Sequence, residues 1–116
     1  MLAALQHLDA ALAELAALDV DTLDDSELHD LVVAVHARRD RLGIIAATPL
    51  ARWDGRGVWT GDGSRTAKSR LSRDCHTSVT TAGVELRRAR HLATMPRTAA
   101  AVATGRLSLD HVDLLA

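Results

Sequence analysis

The sequence has no Phe or Tyr, two Trp, two Pro, one Cys and one Lys in 116 residues. Without aromatic bulk the interior must be filled by aliphatic side chains, and a chain this short buries only a modest core. A single Cys excludes a disulfide framework and a Cys-based structural zinc site, since both need cysteines in pairs. It also fits a reducing compartment, so the expected location is cytoplasmic. The longest apolar stretch, at the N-terminus, carries Asp9 and Glu14 and has no base before it, so neither a signal peptide nor a membrane span fits. What is present instead is Ala and Leu, the bulk of a hydrophobic fraction of 47%. Both are strong helix formers, and composition points to a small all-α domain.

Charge is unevenly placed. Residues 1–30 hold eight of the 15 acids and no base, while residues 31–116 hold all 14 bases and seven acids. The formal net charge of −1 is therefore a cancellation between an acidic N-terminal third and a basic body. Every base except Lys68 is Arg, which suits planar, bidentate contacts to carboxylate or phosphate. Two readings of the basic body stand side by side: it binds nucleic acid, or it is neutralised by the acidic third within the fold or across a dimer.

Periodicity divides the chain into 1–22, 23–63 and 64–116. Leu2, Leu5, Leu8, Leu12, Leu15 and Leu18 recur at three and four, the stripe of an acidic amphipathic helix. It must pack on an intramolecular core or form a dimer seam, for which Leu5, Leu8, Leu12 and Leu15 are the candidates. A second helix starts at a capping box, Asp24 with Glu27, with Leu23 and Leu28 at staple positions. Its apolar stripe is expected at Leu28, Leu31, Val32, Val35, Leu42, Ile45 and Ala46, and Gly43 and Pro49 predict a kink or an end near Ala47. Residues 53–63, with four of the seven Gly and both Trp, read as a loop pinned by aromatic anchors. No Gly-Lys-Ser/Thr follows that would make it a phosphate loop.

Beyond the loop, Ser64 is expected to cap a helix over 65–73, and residues 74–77 form a turn. Ser78 caps a helix whose buried stripe would be Val79, Ala82, Leu86, Ala89 and Ala93. Pro96 to Gly105 has the Pro-first, Gly-last form of another helix, and Ser108, with Leu107 and Val112 as staple, starts a last one. That final helix has no stop signal, so the 64–116 region reads as truncated. In all, about five to six helices are expected, with a helix-turn-helix-like C-terminal half.

Catalytic and metal constellations are weak. Asp19, Asp21 and Asp30 match three positions of a calcium loop, but Leu23 and Asp24 stand where a ligand and the turn Gly belong. None of the six His pairs at a spacing of three or four, and Cys75 beside His76 lacks an orienting third group. No catalytic residue, metal ligand, cofactor site or small-molecule substrate is read from the sequence. The pair of helices at 65–73 and 79–93 is the strongest signal. With Val79, Ala82, Leu86 and Ala89 inward, Thr77, Thr81, Val84, Arg88 and His91 would face outward. Arg87, Arg88, Arg90 and Thr81 are then the candidate DNA contacts, with Arg65, Lys68 and Arg73 on phosphates. The turn lacks the usual Gly.

The ordered set Trp59, Asp62-Gly63-Ser64, Ala67, Leu71, Ser78, Ala82, Ala89-Arg90, Leu92, Pro96, Ala99-Ala100-Ala101, Gly105 and Leu107-Ser108-x-x-His111 resembles the domain of unknown function 222 family. That resemblance implies the N-terminal part of actinobacterial repeat-family proteins that typically end in an HNH endonuclease domain. Residues 92–116 are also similar to the end of the helix-turn-helix of ParB-type partition proteins. Three positions depart from the family pattern: Arg70 where Trp is usual, His76 where Gly is favoured, and Pro49 inside a usually long helix. The chain has no His-Asn-His set, so nuclease catalysis is not carried over.

The preferred expectation is a non-catalytic, DNA-binding domain whose log affinity falls with log salt at a slope of about −3.6 for four neutralised phosphates. The alternatives are a helical dimerisation or protein-interaction module and an inactive remnant of a longer nuclease gene.

Overall fold

The computed structural model describes residues 1–95 and 108–115. Among the described residues there are five α-helices, two 3₁₀ turns and no strand, so the domain is all-α. They are α1 (Leu2–Ala16), α2 (Asp25–Gly55), α3 (Ala67–Asp74), α4 (Val79–Thr94) and α5 (Leu109–Leu115). The expected Pro96–Gly105 helix and the Leu107 staple position lie outside the described residues. The chain divides into two compact units, Met1–Ala34 and Val35–Ala116.

In the first unit α1 forms over the Leu/Ala stripe, as its propensity requires, and ends at Ala17. It buries no residue: Leu5 and Leu12 are each 50% exposed. Asp19 accepts from the Asp21 backbone N–H and caps the 3₁₀ turn Val20–Thr22. The capping box then starts α2: Glu27 N–H donates to Asp24 Oδ1 at 2.8 Å, and Asp24 N–H donates to Glu27 Oε1 at 3.2 Å. Two orphan donors are satisfied reciprocally, as the sequence predicts.

The second unit holds all the buried apolar side chains among the described residues. α4 is its centre. Ala82 and Leu86 pack with Ala67 and Leu71 of α3, against Trp53, Trp59 and Leu50. One turn on, Ala89 and Leu92 pack with Ala47 and Val112, against Ile44, Leu50, Ala51 and Leu109. Leu50 touches both clusters and joins them. The interior is thus built from small and aliphatic residues, with the two Trp rings supplying what aromatic bulk there is.

Several expectations are corrected here. α2 does not end near Ala47 but runs through Pro49 to Gly55. Pro49 removes one N–H donor at a cost of about 3 kcal/mol relative to Ala in a helix interior. Packing of Ala47, Leu50, Ala51 and Trp53 on both sides of it offsets that loss. The packed face of α2 is not Leu42, Ile45 and Ala46. Ile45 is 61% exposed, and the core takes Ile44, Ala47, Leu50 and Ala51 instead, because close helix approach selects small residues. Gly43 serves that approach: a Cβ there would lie 2.5 Å from Leu109 Cδ1 of α5.

Trp53 belongs to α2 rather than to a loop, and the chain turns through Gly57 (φ +66°), a 3₁₀ turn at Val58–Asp62, and Gly63 (φ +82°). Both Gly sit in the left-handed region that other residues enter at a cost. Ser64 does not cap α3, because its N–H and hydroxyl both donate to Asp62 Oδ1. Thr66 takes the role, accepting from Ser69 N–H at 3.1 Å. On α4, Val79 and Ala93 are exposed and Leu92 is buried in their stead, as the larger of two residues that continue the spacing from Ala89.

Candidate nucleic-acid interface

α3 and α4 lie against each other across a short turn, and local chemistry sets both ends of that turn. Cys75 N–H donates to Leu71 O and Thr77 N–H to Ser72 O, closing α3 in a Schellman-type stop. His76 occupies its left-handed position at φ +54°, the only positive φ outside Gly among the described residues. The conformation that a Gly would supply is therefore present, imposed on a residue with a Cβ. Ser72 Oγ donates to Thr77 O at 2.6 Å and braces the loop. Ser78 accepts from Thr81 N–H at 3.0 Å and starts α4, as its position in the sequence predicts.

Gly83 sets how closely the helices meet. A Cβ added there would lie 3.2 Å from Lys68 Cδ, so the aliphatic stem of Lys68 crosses α4 at Gly83. Arg87 follows Gly83 by one helical turn on the same face. Lys68 and Arg87, from different helices, are thereby brought to one exposed face of α4, with Thr80 one turn below. Arg65, Lys68 and Arg87 have no ion-pair partner among the described residues. Thr81 is exposed, its hydroxyl paired with that of Ser78 at 2.9 Å.

The other three predicted contacts are committed elsewhere. Arg88 makes a bidentate pair with Asp113, Nε to Oδ1 at 2.8 Å and a terminal nitrogen to Oδ2 at 2.7 Å. Both partners are largely shielded, and the pair ties α4 to α5. Its hydrogen bonds to Asp113 raise the Arg88 pKa above the ordinary arginine value. Arg90 forks onto Asp54 at 2.8 and 3.1 Å, tying α4 to the end of α2. Hydrogen bonding from Arg90 holds the Asp54 carboxyl below its usual range. Arg73 is bound to Asp62 and Asp74. His91, expected outward, is half-buried, and its Nε2 is enclosed with no partner; Trp59 Nε1 shares that condition.

Arg70 was not singled out as a site residue, yet it organises the loop before α3. Its guanidinium donates to the carbonyls of Val58 and Trp59 and to Asp74 Oδ2, and lies 3.3 Å from Asp62. Hydrogen bonds from Ser64, then from Arg73, push the Asp62 pKa far below the usual carboxylate range. Hydrogen bonds from Arg70 and then Arg73 lower the Asp74 pKa as well. Only the i, i+4 spacing of Arg70 and Asp74 was a visible signal for this network.

An open groove of about 450 Å³ lies between α2 and α4, with Arg52 and Arg56 along one side. Among the described residues no three His, Cys, Asp or Glu side chains converge as metal ligands, and no helix is long and apolar enough to cross a membrane.

Searches of curated proteins and of solved structures give no match to this chain. The model of one family, described as a domain of unknown function, does match, over residues 29–116. That span takes in α3, the turn, α4 and both clusters of the core, and on it the chain belongs to the DUF222 family.

Proposed function

We propose that the chain is a non-catalytic cytoplasmic domain that binds duplex DNA through α3, its turn and α4, as the N-terminal part of an HNH-endonuclease-associated protein. The observation that supports this reading is the Gly83 contact, where the Lys68 stem crosses α4 one helical turn from Arg87, both side chains being exposed. An eight-residue helix, a short turn and a capped sixteen-residue helix match the form of a helix-turn-helix, whose second helix enters the major groove by its N-terminal residues. Thr80 and Thr81 stand at that end and suit contact with base edges. Arg73, Arg88 and Arg90 position the helices rather than the DNA, since each already holds a carboxylate.

With Arg65, Lys68 and Arg87 as the candidate contacts that have no ion-pair partner among the described residues, the expected salt slope falls to about −2.7, or about 40-fold weaker binding from 50 to 200 mM salt. Anisotropy titration of a labelled duplex at those two concentrations checks it. Lys68→Glu combined with Arg87→Glu is expected to abolish binding, and supercoiled plasmid is expected to stay intact with Mg²⁺ or Mn²⁺. A folded chain that binds no duplex at the lower salt, or binds without regard to salt, overturns the proposal.

A further inference from the structure

Arg87, Arg88 and Arg90 stand within one turn of α4, and the fold treats them differently. Arg88 forks onto Asp113 and Arg90 onto Asp54, each through two N–H···O bonds of 2.7–3.1 Å to one carboxylate. Arg87 is exposed, and no carboxylate pairs with it among the described residues. A long helical side chain covers the turn N-terminal to its own Cα. For Arg87 that turn begins at Gly83, which has no side chain and is crossed by the stem of Lys68. α4 has sixteen residues, a length of about 24 Å, whereas the major groove of B-DNA is about 12 Å wide. About the first eight residues of α4 therefore span the groove, and Arg87, the ninth, leans back toward them.

What Arg88 and Arg90 each hold is a pair of acceptors on one rigid edge. In the major groove guanine offers the same, O6 beside N7, whereas adenine pairs its acceptor with a donor, cytosine shows a donor and thymine a single acceptor. Thr80 and Thr81 bring one hydroxyl each, and that of Thr81 is engaged with Ser78. We propose that Arg87 is the residue that selects sequence, its fork reading O6 and N7 of one guanine, while Lys68, a point charge carried by α3, holds a phosphate. The inference rests on the DNA-binding reading above and narrows it, from any duplex to one with guanine at a fixed position.

Selection from a library of randomised duplexes by the full chain tests it, with anisotropy titration of the enriched duplexes. The wild-type chain is expected to enrich one fixed guanine. Replacing that G·C pair by A·T is expected to weaken binding about 5- to 150-fold, and 7-deazaguanine, which lacks only the N7 acceptor, by part of that. Arg87→Lys keeps the charge and loses the fork, so both penalties are expected to shrink to within about twofold. Lys68→Gln is expected to weaken every duplex alike, lower the salt slope by about 0.9 and leave the guanine penalty in place. A chain that binds duplexes but enriches no guanine, or that keeps the penalty in Arg87→Lys, overturns this inference and leaves DNA binding standing. A chain that binds no duplex overturns both.

Discussion

The two units of this chain reach helical structure by different routes. In Met1–Ala34 the helices rest on local chemistry alone: Ala and Leu propensity, an Asp24–Glu27 capping box and an Asp19 cap, with no side chain buried. In Val35–Ala116 local signals are poorer, with Pro49 inside one helix and a strained His76 at the stop of another, yet the structure closes on Ala82, Leu86, Ala89 and Val112. Propensity is enough to form a helix, but burial against other helices is what overrides a bad residue.

The largest test of that contrast is a pair of like substitutions. Leu86→Ala, at a side chain 3% exposed between α3 and α4, is expected to cost about 2–5 kcal/mol in urea denaturation. Leu12→Ala in a dilute, monomeric sample is expected to stay within about 0.5 kcal/mol, and equal effects would erase the distinction between the units. A smaller change comes from His76→Gly, which relieves the positive φ and is expected to raise stability by about 0.5–1 kcal/mol. A destabilised Gly variant would mean that the imidazole contributes more than its backbone costs.

The smallest effect is in acid. Asp54, Asp62 and Asp74 have folded pKa values below the ordinary 3.8, so the unfolded chain binds protons more readily than the folded one as pH drops. Their contribution is complete above about pH 5 and lost as pH falls through 3.8 toward the folded values. Thermal midpoints are expected to be level above that point and to decline below it, with a shallower decline in Asp62→Asn. An unchanged slope in that variant would remove Asp62 from the network that joins the 3₁₀ turn to α3.

Much of the second unit was readable because its signals are local. The Ser78 cap and the Ala82, Leu86, Ala89 stripe lie within a few residues of one another, and the family pattern is anchored on the same positions. The packed face of α2 was not readable. Leu42 and Ile45 are larger and more hydrophobic than Ala47 and Ala51, but the neighbouring helices α4 and α5 come close only where α2 is slim. The pairing of the candidate arginines was hidden in the same way. Arg88 and Arg90 share a helix with Arg87 and carry the same charge, and what separates them is a carboxylate 25 residues away for one and 36 for the other.

The sequence alone thus determined the helical class, the capped starts of α2 and α4, the acidic third and the basic body, since these depend on neighbours within one or two turns. Tertiary structure decided that Arg88 and Arg90 pair with distant carboxylates, which side of α2 is buried, why Pro49 is tolerated and that His76 must adopt a glycine conformation. Each of those depends on a group brought near by folding, and burial and ion pairing act through distance in space, not along the chain.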